Sequence, residues 1–140
     1  MGKYDHLISF VPRPDRPNEK ADWNATRKIA WMEESFMPGA MYFEIMWYCS
    51  PREPAPPPHT HDFDEIIGFV GGNPEDPKEL GAVVKFNIGG EMYTFTQSVL
   101  ITVPAGLEHS PIIVESVERP FLHFSGGPAK GSYTQNKSEG

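Results

Sequence analysis

Residues 40–48 read Ala40-Met41-Tyr42-Phe43-Glu44-Ile45-Met46-Trp47-Tyr48. Aromatic and β-branched side chains crowd this stretch, and Phe43, Ile45 and Trp47 alternate against Tyr42, Glu44 and Met46, the two-residue period of a strand with two different faces. The rest of the chain agrees with a β reading. Fifteen prolines and thirteen glycines among 140 residues leave few intervals long enough for a helix. Further strands are expected at Thr26 to Met32, His59 to His61, Glu65 to Val70, Ala82 to Ile88, Met92 to Phe95, Val99 to Val103, Pro111 to Val114 and Phe121 to Ser125. Short strands divided by turn signals make an all-β sandwich or barrel. The run from Gly71 to Pro77 and the tight turn Asn87 to Gly90 both read as hairpin links.

The length is that of one ordinary domain, read here as a single unit over 1–140 with an extended N-terminal arm (about 1–25) and a flexible C-terminal tail (about 126–140). Pro12, Pro14 and Pro17 favour the extended arm, and the run His6 to Val11 is apolar enough to pair with a neighbouring sheet edge or across a dimer. A formal charge of -7 without a basic cluster argues against nucleic acid as a partner. Cys49 is the single cysteine, which excludes an intramolecular disulfide. No bilayer-length apolar stretch or signal-peptide pattern is present, so neither a membrane partner nor secretion is expected, and the cytoplasm is the expected compartment.

Chemistry concentrates in two places. Pro56 to Glu65 reads PPPHTHDFDE, and Val103 to Ser110 reads VPAGLEHS. On a strand, residues two apart share a face, so His59 and His61 project side by side. Glu65 has the same parity, and a bend at Asp62 to Asp64 would return its carboxylate towards them. His109, just after the turn Pro104-Ala105-Gly106, can reach the same place from an adjacent strand. Imidazole nitrogen suits zinc, copper, iron and nickel, and a carboxylate oxygen extends the range to manganese. Asp62 and Asp64 have the opposite parity and read as solvent-facing or turn-capping acids. His123, in Phe-Leu-His-Phe-Ser, is either a packed core-edge histidine or a catalytic acid or base. Cys49 ends an apolar strand and reads as an inert thiol.

His59, His61, Glu65 and Gly72, followed by Pro104, Gly106 and His109, closely resemble the two spaced motifs of the cupin superfamily. The match runs from Pro58 to His109. Glu53, Ser98 and Ile113 stand where that pattern carries glycine, glycine and asparagine. The resemblance implies a small jelly-roll β-barrel, with His59, His61, Glu65 and His109 as ligands to one divalent transition metal ion (Fe, Mn, Ni or Zn) inside it. It also implies a homodimer. Four protein ligands on a six-coordinate ion leave two positions for a small-molecule substrate, which suits an oxygenase or a redox-neutral isomerase or lyase. A binding or sensing module without turnover is the alternative. Ile67 and Phe69, together with Tyr42, Met46 and Tyr48, read as inward-facing residues, either as pocket walls or as core.

Overall fold

The structure, a computed structural model, describes residues 2–12, 26–129 and 135–137. Apart from one short 3-10 turn at Asp5–Leu7, every regular element among the described residues is a strand. They are β1 (Thr26–Met32), β2 (Tyr42–Tyr48), β3 (Arg52–Ala55), β4 (His59–Thr60), β5 (Glu65–Gly71), β6 (Glu79–Ile88), β7 (Glu91–Gln97), β8 (Val99–Val103), β9 (His109–Val117), β10 (Phe121–Gly127) and β11 (Asn136–Lys137). No described helix is long and apolar enough to cross a membrane. Pro14 and Pro17 of the expected arm lie outside the described residues.

Two antiparallel sheets face one another in a jelly-roll arrangement. One runs β1-β2-β10-β5-β8 and the other β11-β4-β9-β6-β7, with β3 also paired to β9. Among the described residues the sheets are not hydrogen-bonded into a closed barrel. The alternation read in β2 holds: Tyr42, Met46 and Tyr48 are buried while Phe43 is exposed. Ile67 and Phe69 of β5, Leu80, Val84 and Phe86 of β6, Val114 of β9 and Phe121 of β10 meet in one apolar cluster. Phe69, whose side chain is fully enclosed, has ring contacts with Phe86 and Phe121. Burying side chains of this size contributes about 2 to 3 kcal/mol each.

The two glycine-bearing turns differ. Asn87 to Gly90 does close a hairpin between β6 and β7, with Gly89 and Gly90 at φ 61° and 90°, a conformation that disfavours larger residues. The run Gly71 to Pro77 is not a hairpin link. It carries the chain from β5 in one sheet to β6 in the other, because both edges of β5 are already occupied by β10 and β8. Ser98 secures this crossing: its Oγ accepts from the Gly71 amide at 2.9 Å and donates to the Pro77 carbonyl at 2.6 Å. At Gly71 the backbone of β6 passes so close that a Cβ would stand 1.8 Å from the Glu79 carbonyl oxygen. Since that atom belongs to backbone, relief requires the sheets to part. Gly71→Ala is expected to cost on the order of 2 kcal/mol in urea denaturation, in the range of overpacking substitutions; an unchanged midpoint would contradict the close approach.

Candidate metal centre

His59, His61, Glu65 and His109 are brought together at one end of the space between the sheets. All four are buried. His59 lies in β4, which is hydrogen-bonded to β9 with His59 opposite His109, so residues fifty apart in sequence become cross-strand neighbours. His61 follows the end of β4, its carbonyl accepting from the Gly106 amide at 2.9 Å. That bond ties the two motifs together. The chain then bends at Asp62 and Phe63 and re-enters a strand at Glu65. Asp64 caps the facing turn through its Oδ1, which accepts from the Ala105 amide at 2.9 Å, and Asp62 accepts from the Asn136 side-chain amide at 3.0 Å. Both acids are exposed, in keeping with the roles read from their parity.

His109 is aimed by an irregularity. Ile112 and Val114 of β9 face the core, and a regular strand would then turn the odd-numbered His109 outward. The register of β9 against β6 shifts between Phe86 opposite Ile112 and Ile88 opposite His109, so β9 carries one residue more than its partner. Ser110 sits inside this bulge at φ 81°. The extra residue inverts the parity and swings His109 inward, as bulges near functional sites do.

The imidazoles are held in defined orientations. His59 Nδ1 lies 2.8 Å from the Pro57 carbonyl and His109 Nδ1 lies 2.9 Å from the Leu107 carbonyl. A carbonyl can only accept, so each Nδ1 donates and each Nε2 is left with a free lone pair. One nitrogen from each of His59, His61 and His109 falls in a group spanning no more than 4.8 Å. Glu65 Oε1 is 3.0 Å from His109 Nε2 and 3.4 Å from His61 Nε2. Donors about 2.1 Å from a shared ion stand roughly 3 Å apart when at right angles, so these separations suit a common cation. His109 Nε2 is buried and has no aligned hydrogen-bond partner, since its approach to Glu65 is close but misdirected. A buried polar atom left unsatisfied is costly, and a cation among these donors would satisfy it. The donor set therefore fits a transition metal.

Electrostatics reinforce this arrangement. Burial pushes the Glu65 carboxyl up, but His109 and His61 beside it together push further the other way and leave it at about 2. Burial lowers His59 despite the Pro57 carbonyl. At His109 burial also disfavours charge, yet the Glu65 carboxylate and the Leu107 carbonyl outweigh it and the net shift is upward. Phe63 stacks on His61 with ring centres 4.7 Å apart, and Phe86 meets His109 edge-on at 6.2 Å.

His123 lies deeper, apart from the four donors. Its ring is stacked between Tyr48 at 5.2 Å and Phe69 at 5.1 Å, and its Nδ1 donates to the Gly68 carbonyl at 3.0 Å. Burial lowers its pKa to about 4 against the Gly68 bond, with the Arg52 charge lowering it further. It is thus neutral at physiological pH. Two polar groupings nearby were not singled out in the sequence. Arg52 donates to the Tyr48 hydroxyl at 3.0 Å and lies over the Tyr48 ring, and the Tyr42 hydroxyl is hydrogen-bonded to Ser125 Oγ. Strand parity placed Tyr42 and Tyr48 inward, but nothing local linked them to Ser125 or Arg52. Cys49 is a free, half-buried thiol.

Comparison with known proteins rests on the fold. The sequence matches no family model and no curated protein. Among solved structures, a recombinant oxalate oxidase in complex with glycolate superposes with a TM-score of 0.55 at 15% identity, covering 91% of this chain and 62% of that one. A second oxalate oxidase structure gives 0.54 at 16% identity over 89% of this chain and 60% of the other. An RmlC-like cupin from Shewanella frigidimarina NCIMB 400 aligns at 15% identity over 64% of this chain and 68% of its own, with a TM-score of 0.44. The present chain spans about 60% of the length of the oxalate oxidases it resembles.

Proposed function

We propose, from the premise that this chain has the cupin fold, that it is a small mononuclear metal-dependent enzyme acting on a small organic molecule. His59, His61, Glu65 and His109 would hold one divalent iron, manganese, nickel or zinc ion. The observation that carries this reading is the convergence of four buried donors, with the His109 Nε2 left without a hydrogen-bond partner. Three neutral imidazoles and one carboxylate leave a divalent ion with about one net positive charge, which favours an anionic or chelating substrate. The oxalate oxidase bound to glycolate, a small carboxylate, offers a precedent on the same fold.

When bound, the ion supplies Lewis acidity or, if it is iron, access to oxygen chemistry. The chain's own part is orientation and exclusion of water. Pro57 and Leu107 carbonyls set the ring planes of His59 and His109, and Phe63 and Phe86 wall the donors with apolar surface. The Tyr42 and Ser125 hydroxyls lie beside Phe63 and offer a neutral donor to a substrate oxygen. His123 as a catalytic base is the weaker assignment, because a ring held near pKa 4 binds protons poorly at neutral pH.

The test is anaerobic reconstitution with ferrous, manganous, nickel and zinc ions separately, followed by incubation with small carboxylates with and without oxygen. Turnover with one ion supports the enzyme reading. Chemically unchanged ligand recovered from a saturable complex in every case would replace it with a binding or sensing module. Metal should also stabilise the fold by linkage: at a hundredfold excess of free ion over Kd the gain is about 2.7 kcal/mol, or roughly 10 °C in Tm for a chain of this size. Scanning calorimetry with and without chelator measures it, and an unchanged Tm would rule out a metal held by these donors. We infer in addition that the protein acts in the cytoplasm, supported by its lone free cysteine, and as a homodimer, supported by the exposed apolar side chains of Phe43, Ile66 and Leu100 on the sheet β1-β2-β10-β5-β8.

A further inference from the structure

Arg52 carries a positive charge into the fold with no acid to match it. It begins β3 directly opposite Val114 of β9, and Val114 is buried in the core. Cross-strand partners share a face, so the Arg52 side chain leaves β3 on the inward side, whereas its exposed neighbour Glu53 leaves on the other. Arg52 is half-buried. Among the described residues its polar partner is Tyr48 alone, with Nη1 donating to the hydroxyl at 3.0 Å and the guanidinium carbon 5.1 Å from the ring centre. Acids are not scarce, since Asp and Glu number nineteen against twelve Lys and Arg. The exposed Lys85, by contrast, has its carboxylate, Glu115, at 2.8 Å. A cation drawn partly out of water without an opposite charge is costly, and a bound anion would relieve that cost.

We propose that Arg52 and Tyr48 form a subsite for a substrate carboxylate held at a distance from the metal. This rests on the metal-enzyme reading above and specifies its substrate class: an organic acid whose carboxylate lies at the end remote from its metal-binding group. The guanidinium is a planar fork of donors that matches the two oxygens of a carboxylate, and only one of its N–H groups is drawn to Tyr48. Burial pushes the Tyr48 phenol up to about 12 despite the Arg52 charge, so the hydroxyl keeps a proton to donate to the same anion. One unpaired cation balances the single charge of a carboxylate better than the double charge of a phosphate. Val114 stands five positions beyond His109 on β9, and with one residue taken by the bulge Arg52 starts about 13 Å along the sheet from the donors. Tyr48 stacks on His123, whose ring feels both the Arg52 and the Glu65 charges, so subsite and donors share the interior between the sheets.

The test is calorimetric titration of the zinc-loaded full chain with straight-chain dicarboxylates from succinate to suberate, each against the monocarboxylate of equal length. At one length the dicarboxylate is expected to bind at least about tenfold more tightly, the worth of a charge-assisted hydrogen bond. Arg52→Gln should abolish that preference, and Arg52→Lys, which keeps the charge but loses the fork, should retain only part of it. Tyr48→Phe keeps the ring stacked on His123 and should weaken the preference too, which serves as the test if Arg52→Gln does not fold. Protein stripped of metal should still bind the monocarboxylate, more weakly, and lose it in Arg52→Gln. A preference equal in all variants, or none at any length, would overturn the subsite and leave the metal enzyme standing. Failure to bind zinc would overturn the metal reading, and the metal-free titration would still decide the subsite: binding lost in Arg52→Gln upholds it, and binding absent or unchanged overturns it.

Discussion

His109→Ala is expected to lower bound metal from near one ion per chain to below a tenth, with the fold retained. Its Nε2 is a buried nitrogen without a hydrogen-bond partner and lies nearer Glu65 Oε1 than the His61 Nε2 does, and alanine removes a ligand that no neighbour can replace. Loss of a supporting contact around a metal ligand costs 10- to 100-fold in affinity, so loss of the ligand itself should cost at least as much. His61→Ala should behave alike. His123→Phe should keep its metal, because its ring is stacked between Tyr48 and Phe69 and not placed among the donors. Elemental analysis after anaerobic reconstitution and desalting decides the matter. Equal loss in all three variants would show that metal content reports general destabilisation, and full retention in His109→Ala would remove it from the ligand set.

The second large effect is a loss of stability in mild acid traceable to His123. The unfolded ring titrates at the ordinary value of 6.5, while the buried ring is held at about 4 by desolvation, opposed by its bond to Gly68, with Arg52 lowering it and Glu65 raising it. Between those values the unfolded chain takes up a proton that the folded chain refuses. The stabilisation is therefore complete above pH 6.5, declines as the pH falls and is lost by about pH 4, a total of about 3 kcal/mol. Urea denaturation of chelated protein at half-unit steps from pH 7 to 4 should show this decline, and His123→Phe should flatten it by that amount whatever its absolute stability. His59, which is lowered, and His109, which is raised, titrate in both proteins and drop out of the difference. Parallel curves for the two proteins would mean that His123 is not held neutral.

Much of the fold was legible because it depends on local alternation. Strands β1 and β8 begin and end where the pattern of apolar residues placed them, and β2, β5, β6, β7, β9 and β10 differ only at their ends. β3, which contains two of its four residues as Glu53 and Pro54, and β11, which contains only two residues, have no alternation to read. They exist because β9 and β4 offer them a partner. The crossing from Gly71 to Pro77 resembled a hairpin loop for a related reason: glycine, asparagine and proline signal a reversal, and only the occupancy of both edges of β5 decides that the reversal ends in the opposite sheet.

The sequence by itself determined the all-β architecture and singled out His59, His61, Glu65 and His109, the four side chains proposed as ligands, because side-chain parity on short strands and the spacing of donor atoms are local properties. What a side chain at Gly72 would meet is by contrast a tertiary matter: a Cβ there would stand 2.7 Å from the Pro120 carbonyl oxygen. Only the tertiary structure decided that His109 points inward. Its parity relative to Ile112 and Val114 is wrong for a regular strand, and the bulge at Ser110 that corrects it is defined by register against β6, a strand more than twenty residues away. Tertiary packing also decided the state of His123, whose charge depends on enclosure by Tyr48 and Phe69. Parity is inherited from the chain, whereas register and desolvation arise only when strands meet.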